Sequence, residues 1–106
     1  MTRYLLNSPV LTAFGEWRFE GPVSIDAARD FAATGLHSAV GHAGAAEWLT
    51  RILGLQVPCH REALTMLPGD IALVLRLRDR LPEGDRLDAE ALDRTPHDFG
   101  LLTRLS

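Results

Sequence analysis

Gly41-His42 stands directly before the clearest helical pattern in the chain, Ala43 to Leu53. The first amides of a helix have no intrahelical partner and favour anions, so a phosphate bound there would lie beside the imidazole. A histidine in that position can hold a proton at neutral pH and hand it to a leaving oxygen. Arg61 and Arg80 follow at strand ends, and Glu83 sits in the turn Leu81-Pro82-Glu83-Gly84. One proton donor, two arginines and one carboxylate suffice for metal-free RNA transesterification. In that reaction a ribose 2′-OH attacks its own phosphate while the 5′-oxygen is protonated and leaves. The same residues have plainer readings. His42 can be a packed or capping residue, Arg61 and Arg80 can pair with Glu62 and Asp79, and Glu83 can be a solvated turn residue. Asn7 can simply satisfy backbone groups at the end of the first strand.

Other chemistries lack their residues. The four histidines (His37, His42, His60 and His97) and the one thiol, Cys59, form no Cys-x-x-Cys and no His-Glu-x-x-His, and no aspartate-rich loop accompanies them. On an extended strand the adjacent Cys59 and His60 would point to opposite sides. Ser38 has no Gly-x-Ser-x-Gly setting, and no Walker or dinucleotide glycine pattern occurs. The sequence therefore predicts a site with no metal and no cofactor.

Composition narrows the class further. All 11 basic residues are arginine, and 14 acidic residues bring the net charge to -3. That balance argues against a coat for duplex DNA or RNA, which needs a net basic face. Anion binding must then be local, a few arginines placed in one pocket. Hydrophobic residues make up 46% and charged residues 24%, which predicts a folded globular chain rather than a disordered one. No apolar run approaches the ~20 residues that cross a bilayer. The opening Met-Thr-Arg-Tyr-Leu-Leu-Asn is too short and polar for a signal peptide. One cysteine cannot close an internal disulfide, which fits a reducing compartment. The expectation is a cytoplasmic protein without a membrane partner, folded as one domain over residues 1–106.

The elements that would position these residues follow from pattern and turn chemistry. Arg3 to Ser8 reads as a strand ended by Pro9, and Trp17, Phe19 and Val23 mark an extended stretch broken at Gly21-Pro22. Ser24 offers an N-cap to a helix over Ala27 to Ala33, stopped by Gly35. His37 to Val40 fits a short buried strand. In Ala43 to Leu53 the residues Ala45, Trp48, Leu49, Ile52 and Leu53 share one helical face, Glu47 and Arg51 make an i,i+4 pair, and Gly54 stops the helix. Glu62 to Leu67 reads as a strand, and Pro68-Gly69 carries type II turn chemistry. Ile71 to Arg78 alternates, with Leu73, Leu75 and Leu77 on one face and Val74, Arg76 and Arg78 on the other. Asp88 can cap a short helix through Leu92, and Phe99 to Leu105 closes as a strand. The order predicts an α/β fold: a single compact domain with a mixed β-sheet flanked by helices.

An ordered set of motifs resembles one family. It comprises Tyr4-Leu-Leu-Asn-Ser-Pro-Val-Leu-Thr12, Ser38-Ala-Val-Gly-His42, Leu53-Gly-Leu-Gln-Val-Pro58, Arg61, Pro68-Gly-Asp70, Arg80-Leu-Pro-Glu-Gly84 and Phe99-Gly-Leu-Leu-Thr-Arg104. Together these are similar to the viral anti-CRISPR ring nucleases and their cellular CRISPR-associated ring nuclease relatives. The resemblance implies a homodimer that encloses cyclic tetra-adenylate, the second messenger of type III CRISPR complexes, at the subunit interface. It also implies metal-independent cleavage of that ring to short linear oligoadenylates. On this resemblance His42 matches the catalytic histidine, proposed as general acid. Arg80 matches the transition-state arginine and Glu83 the glutamate assisting the histidine. Arg61 matches a ligand-binding arginine, Gly41 precedes the histidine at the binding site, and Asn7 falls where the N-terminal loop touches the ring. The chain departs from the family at His60, where many relatives carry asparagine, and at Ala43-Gly44-Ala45, which are polar in the archaeal viral members. Two other functions fit the same chain: a non-catalytic module that sequesters the ring, and a protein-interaction domain that binds no nucleotide.

Overall fold

The computed structural model describes residues 2–78 and 89–106. In chain order they form β1 (Arg3–Leu6), β2 (Trp17–Val23), α1 (Ile25–Ala32), β3 (His37–Ser38), α2 (Ala43–Leu53), β4 (Ile71–Leu77), α3 (Ala89–Arg94) and β5 (His97–Arg104). The strands make one mixed sheet ordered β2-β5-β4-β1-β3. β1 is parallel to both β3 and β4, whereas β5 runs antiparallel to β4 and β2. The molecule is a single compact α/β domain, as the element order predicts. No helix in the described residues is long and apolar enough to cross a membrane.

Local chemistry explains most of the boundaries. The Ser24 hydroxyl accepts a hydrogen bond from the Ala27 amide (3.1 Å), fixing the start of α1. Gly54, at φ 72°, takes the left-handed cap of α2 and donates its amide to the Thr50 carbonyl. Leu67 to Asp70 is a turn: the Asp70 amide donates to the Leu67 carbonyl, and Gly69 supplies a φ of 94°. β2 pairs with β5 up to Glu20 and again at Val23, with a register shift across Gly21-Pro22, which an edge strand tolerates.

Both faces of the sheet are covered, by different means. Leu5, Leu73, Leu75 and Phe99 pack under the helices against Ala28, Ala45, Trp48, Leu49 and Leu92. Side chains such as Leu49 and Leu73, taken wholly out of water, each contribute roughly 1.5–3 kcal/mol. On the other face Leu6, Ala72, Val74 and Leu102 pack with Met66, and Tyr4, Trp17, Ala39 and Leu64 lie around them. The alternation in β4 is thus as expected, with both sets buried through Leu75.

Three local expectations are corrected. Glu62 to Leu67 is not a strand. The Met66 amide donates to Thr12 Oγ1 and the Leu67 amide to Asp70 Oδ2, while Arg104 donates to the Met66 carbonyl, so side chains take the place of a ladder. Arg51 does not pair with Glu47. Asp93 on α3 is anchored by the Trp48 indole N–H (2.8 Å) and turns its other oxygen to Arg51 (2.7 Å). The closing strand also begins earlier than Phe99, at His97.

The hydrogen bond from Trp48, reinforced by that from Arg51, holds the Asp93 carboxyl below its ordinary value. A depressed folded-state value gives stability that is present above the unfolded value and is lost as pH falls through the folded one. Asp93→Asn keeps an acceptor for Trp48 but has no proton to gain. The loss of stability between about pH 7 and about pH 3, read by urea unfolding, should be smaller in Asp93→Asn than in the wild-type chain. An equal loss would show that the carboxylate does not carry this linkage.

Candidate functional site

Parallel strands β1, β3 and β4 end at one edge of the sheet, which is where open α/β sheets place ligands. Asn7 follows β1 at this edge, and Ala39 to His42 connect β3 to α2. β4 runs out to the same edge before the segment that carries Arg80 and Glu83. Those two residues, the Leu81 to Gly84 turn and Asp88 lie outside the described residues.

His42 occupies the N-cap position of α2, with extended backbone angles of φ -128° and ψ 121°. Its carbonyl accepts from the Ala46 amide, closing the first turn. The side chain makes no capping hydrogen bond and is exposed. Packing and capping are therefore not its role. The imidazole stands beside the unpaired first amides of a helix whose opening turn holds no acidic residue.

Arg61 packs its stem against Gly41, the residue before His42. A Cβ placed on Gly41 would lie 3.2 Å from Arg61 Cγ and 3.4 Å from its Cβ, so glycine permits the close approach. Arg61 does not pair with Glu62, whose oxygens are taken by two histidines. Among the described residues, Arg61 and Arg78 are the arginines whose guanidinium groups make neither a hydrogen bond nor an ion pair. The others are engaged, as in Arg76–Asp98 (2.8 Å) and Arg94–Glu90 (3.1 Å). Arg78 follows the end of β4 and was not singled out in the sequence, although it shares the strand phase of Arg76 and Arg80.

Asn7 lines a cavity of about 140 Å³ with Leu6, Ser8, Val10, Thr12, Ala39, Glu62 and Leu64. Its amide forms no hydrogen bond among the described residues, so it is not committed to closing off β1. A larger depression of about 390 Å³ lies along Leu11 to Gly15 and Trp17, but no titratable side chain lines it. The smaller one holds Asn7 and Glu62.

His37 and His60 converge on Glu62. His37 Nε2 hydrogen-bonds to Glu62 Oε1, and His60 Nε2 lies 3.3 Å from Oε2. The His37 hydrogen bond, with His60 adding to it, holds the Glu62 carboxyl below the ordinary range. This grouping is invisible in the sequence because His37 and Glu62 are 25 positions apart.

Asp70, in the Pro68-Gly69-Asp70 motif, is a structural residue. It is buried, and its two oxygens accept from the Thr2 and Leu67 amides, each at 2.8 Å. It locks the turn that launches β4 toward the site. Asp70→Ala should lower stability by about 1–3 kcal/mol in denaturant unfolding, because two part-buried hydrogen bonds to a carboxylate are lost. A loss below about 0.5 kcal/mol, the scale of an unremarkable surface change, would contradict this role.

Residues 3–99 match the model of the STIV B116-like family. The chain is 29% identical over 103 residues to YddF of Bacillus subtilis (strain 168), covering 94% of each. Its structure is similar to B116 of Sulfolobus turreted icosahedral virus, with a TM-score of 0.71 and 18% identity, covering 98% of this chain and 100% of that one. The latter likeness speaks to fold, and the family model speaks to descent: this chain belongs to the STIV B116-like family.

Proposed function

We propose that the protein is a metal-independent ring nuclease that binds cyclic tetra-adenylate between two copies of the chain and cuts it to short linear oligoadenylates. It would thereby switch off type III CRISPR signalling. The observation that carries this reading is that His42, without a capping hydrogen bond at the start of α2, follows Gly41, against which the stem of the uncommitted Arg61 packs. The motif resemblance to anti-CRISPR ring nucleases supplies the substrate.

In the proposed mechanism the helix-start amides and Arg61 hold a phosphate beside His42. A ribose 2′-OH of the ring attacks that phosphorus and gives up its proton to water, the bond to the 5′-oxygen breaks, and His42 gives its proton to the departing oxygen. The products carry a 2′,3′-cyclic phosphate at one end and a 5′-OH at the other. By resemblance, Arg80 meets the charge that builds on the phosphorane and Glu83 assists His42. Asn7 and Gly41 shape the ligand surface.

A second copy would enlarge the site beside Asn7. One chain offers about 140 Å³ beside Asn7, less than the ~300 Å³ at the low end for small-molecule pockets, and a ring of four nucleotides is larger still. A two-fold dimer would present Arg61 and Arg80 twice, four guanidinium groups for four phosphates. Exposed apolar residues favour association too: Leu11 and Leu67 are 65% and 63% exposed and Phe14 is fully so. The Met66 amide, bonded to Thr12, ties their segments together. Light scattering should report a dimer, and a monomer both with and without ring would contradict the arrangement.

Cleavage should persist in excess EDTA. His42→Ala, folded by circular dichroism, should slow single-turnover cleavage by about 10²–10⁴-fold while changing ring affinity much less. Arg61→Ala should show the opposite balance, losing affinity first. A folded His42→Ala chain cutting at the wild-type rate would overturn the mechanism. Intact ring recovered from the wild-type chain after denaturation would instead identify a sequestering module.

A further inference from the structure

We propose that His37, His60 and Glu62 form a binding site for a divalent transition metal ion of the zinc class, separate from the cleavage chemistry. Nε2 of each imidazole faces a different oxygen of the one carboxylate. The three ligand atoms all lie within 4.8 Å of one another. A tetrahedral ion with bonds of about 2.0–2.1 Å holds its nitrogen and oxygen ligands about 3.3 Å apart, which exposed side chains reach by small rotations.

The backbone prearranges the three. Ser38, next to His37, donates its hydroxyl to the Pro58 carbonyl (2.7 Å), and the His60 amide donates to the Val40 carbonyl (2.8 Å). These bonds fasten the segment bearing His60 and Glu62 alongside β3. Tyr4, opposite His37 across the β1–β3 pairing, meets its ring edge-on at 5.7 Å. His60 meets the other side of His37 at 5.7 Å and 82°. Both imidazoles are thus braced with their nitrogens toward Glu62.

Ligand type sets the ion. Two imidazoles and one carboxylate suit zinc, cobalt, nickel or copper, and not magnesium or calcium, which take oxygen ligands. All three side chains are exposed, so water completes the coordination. Cys59 is not part of the set. It lines a depression beside α2 with Ala43, Ala46 and Thr50, whereas Glu62 lines the cavity beside Asn7. Arg61 lies between two of the ligands, so an ion would stiffen the segment that presents it. That consequence alone rests on the ring-nuclease reading.

The test is isothermal titration of chelator-treated protein with zinc chloride and, separately, magnesium chloride, together with the absorption spectrum of the cobalt-loaded protein. One zinc ion per chain should bind, and magnesium should not. Glu62→Gln and His37→Ala should each weaken zinc binding by more than the roughly 10–100-fold that loss of an outer-shell partner costs. Cys59→Ser should leave it unchanged. The wild-type cobalt spectrum should show visible d–d bands and no thiolate charge-transfer band. Zinc affinity unchanged in folded Glu62→Gln and His37→Ala would overturn the site. So would a thiolate band, or the absence of zinc binding by the wild-type protein, neither of which depends on a variant folding. None of these readouts uses ring cleavage, so failure of one proposal leaves the other standing.

Discussion

A sheet buried on both faces needs two layers of cover, and the helices here all lie on one side. The other face is closed by residues without regular secondary structure, chiefly the run through Leu64 and Met66. Such a run must satisfy its backbone groups from outside. Ser38, Thr12, Asp70 and Arg104 provide those partners from four different parts of the chain. The result fixes where the segment begins its path across the sheet. His60, Arg61 and Glu62 are thereby set against β3 and the start of α2, so the cover of the second face also builds the polar edge.

That edge differs electrostatically from the rest of the surface. Elsewhere among the described residues the arginines are neutralised or bonded, Arg76 by Asp98 across the β4–β5 pairing and Arg51 by Asp93 between α2 and α3. At the edge the described Arg61 and Arg78 make no hydrogen bond or ion pair, and the first turn of α2 carries no acidic side chain. An acidic chain can in this way keep a small cationic surface for an anion without becoming a general nucleic-acid binder. The imidazole of His42 borders that surface without a hydrogen bond of its own. A cationic side chain next to a helix start is mildly unfavourable for stability alone, and a natural arrangement for holding phosphate.

Much of this was legible in the sequence, for identifiable reasons. Ser24, Gly54 and Pro68-Gly69 act through local backbone chemistry, so the N-cap of α1, the extent of α2 and the turn before β4 could be read directly. The apolar period of Ala43 to Leu53 and the alternation in β4 gave the core faces. The apolar pattern of Glu62 to Leu67 suits an extended cover segment as well as a strand, and long-range side chains decide between them. The partner of Arg51 is not legible locally, because Asp93 approaches it only in the folded domain. His42, Gly41, Asn7 and Arg61 could be singled out, and the fold places Asn7 and the Gly41–His42 step at one edge. The gathering of His37, His60 and Glu62 could not be seen, since it depends on the hydrogen bonds that dock Pro58 to His60 against β3. Arg80 and Glu83 lie outside the described residues, and their roles rest on the motif resemblance.

The chemistry of the cut ends tests the central claim most directly. The wild-type protein, in excess EDTA, is given cyclic tetra-adenylate, and the products are resolved by chromatography and mass spectrometry. The account predicts linear oligoadenylates ending in a 2′,3′-cyclic phosphate and a 5′-OH, the ends that attack by a ribose 2′-OH must leave. Intact ring, or linear products bearing 5′-phosphates, would contradict it.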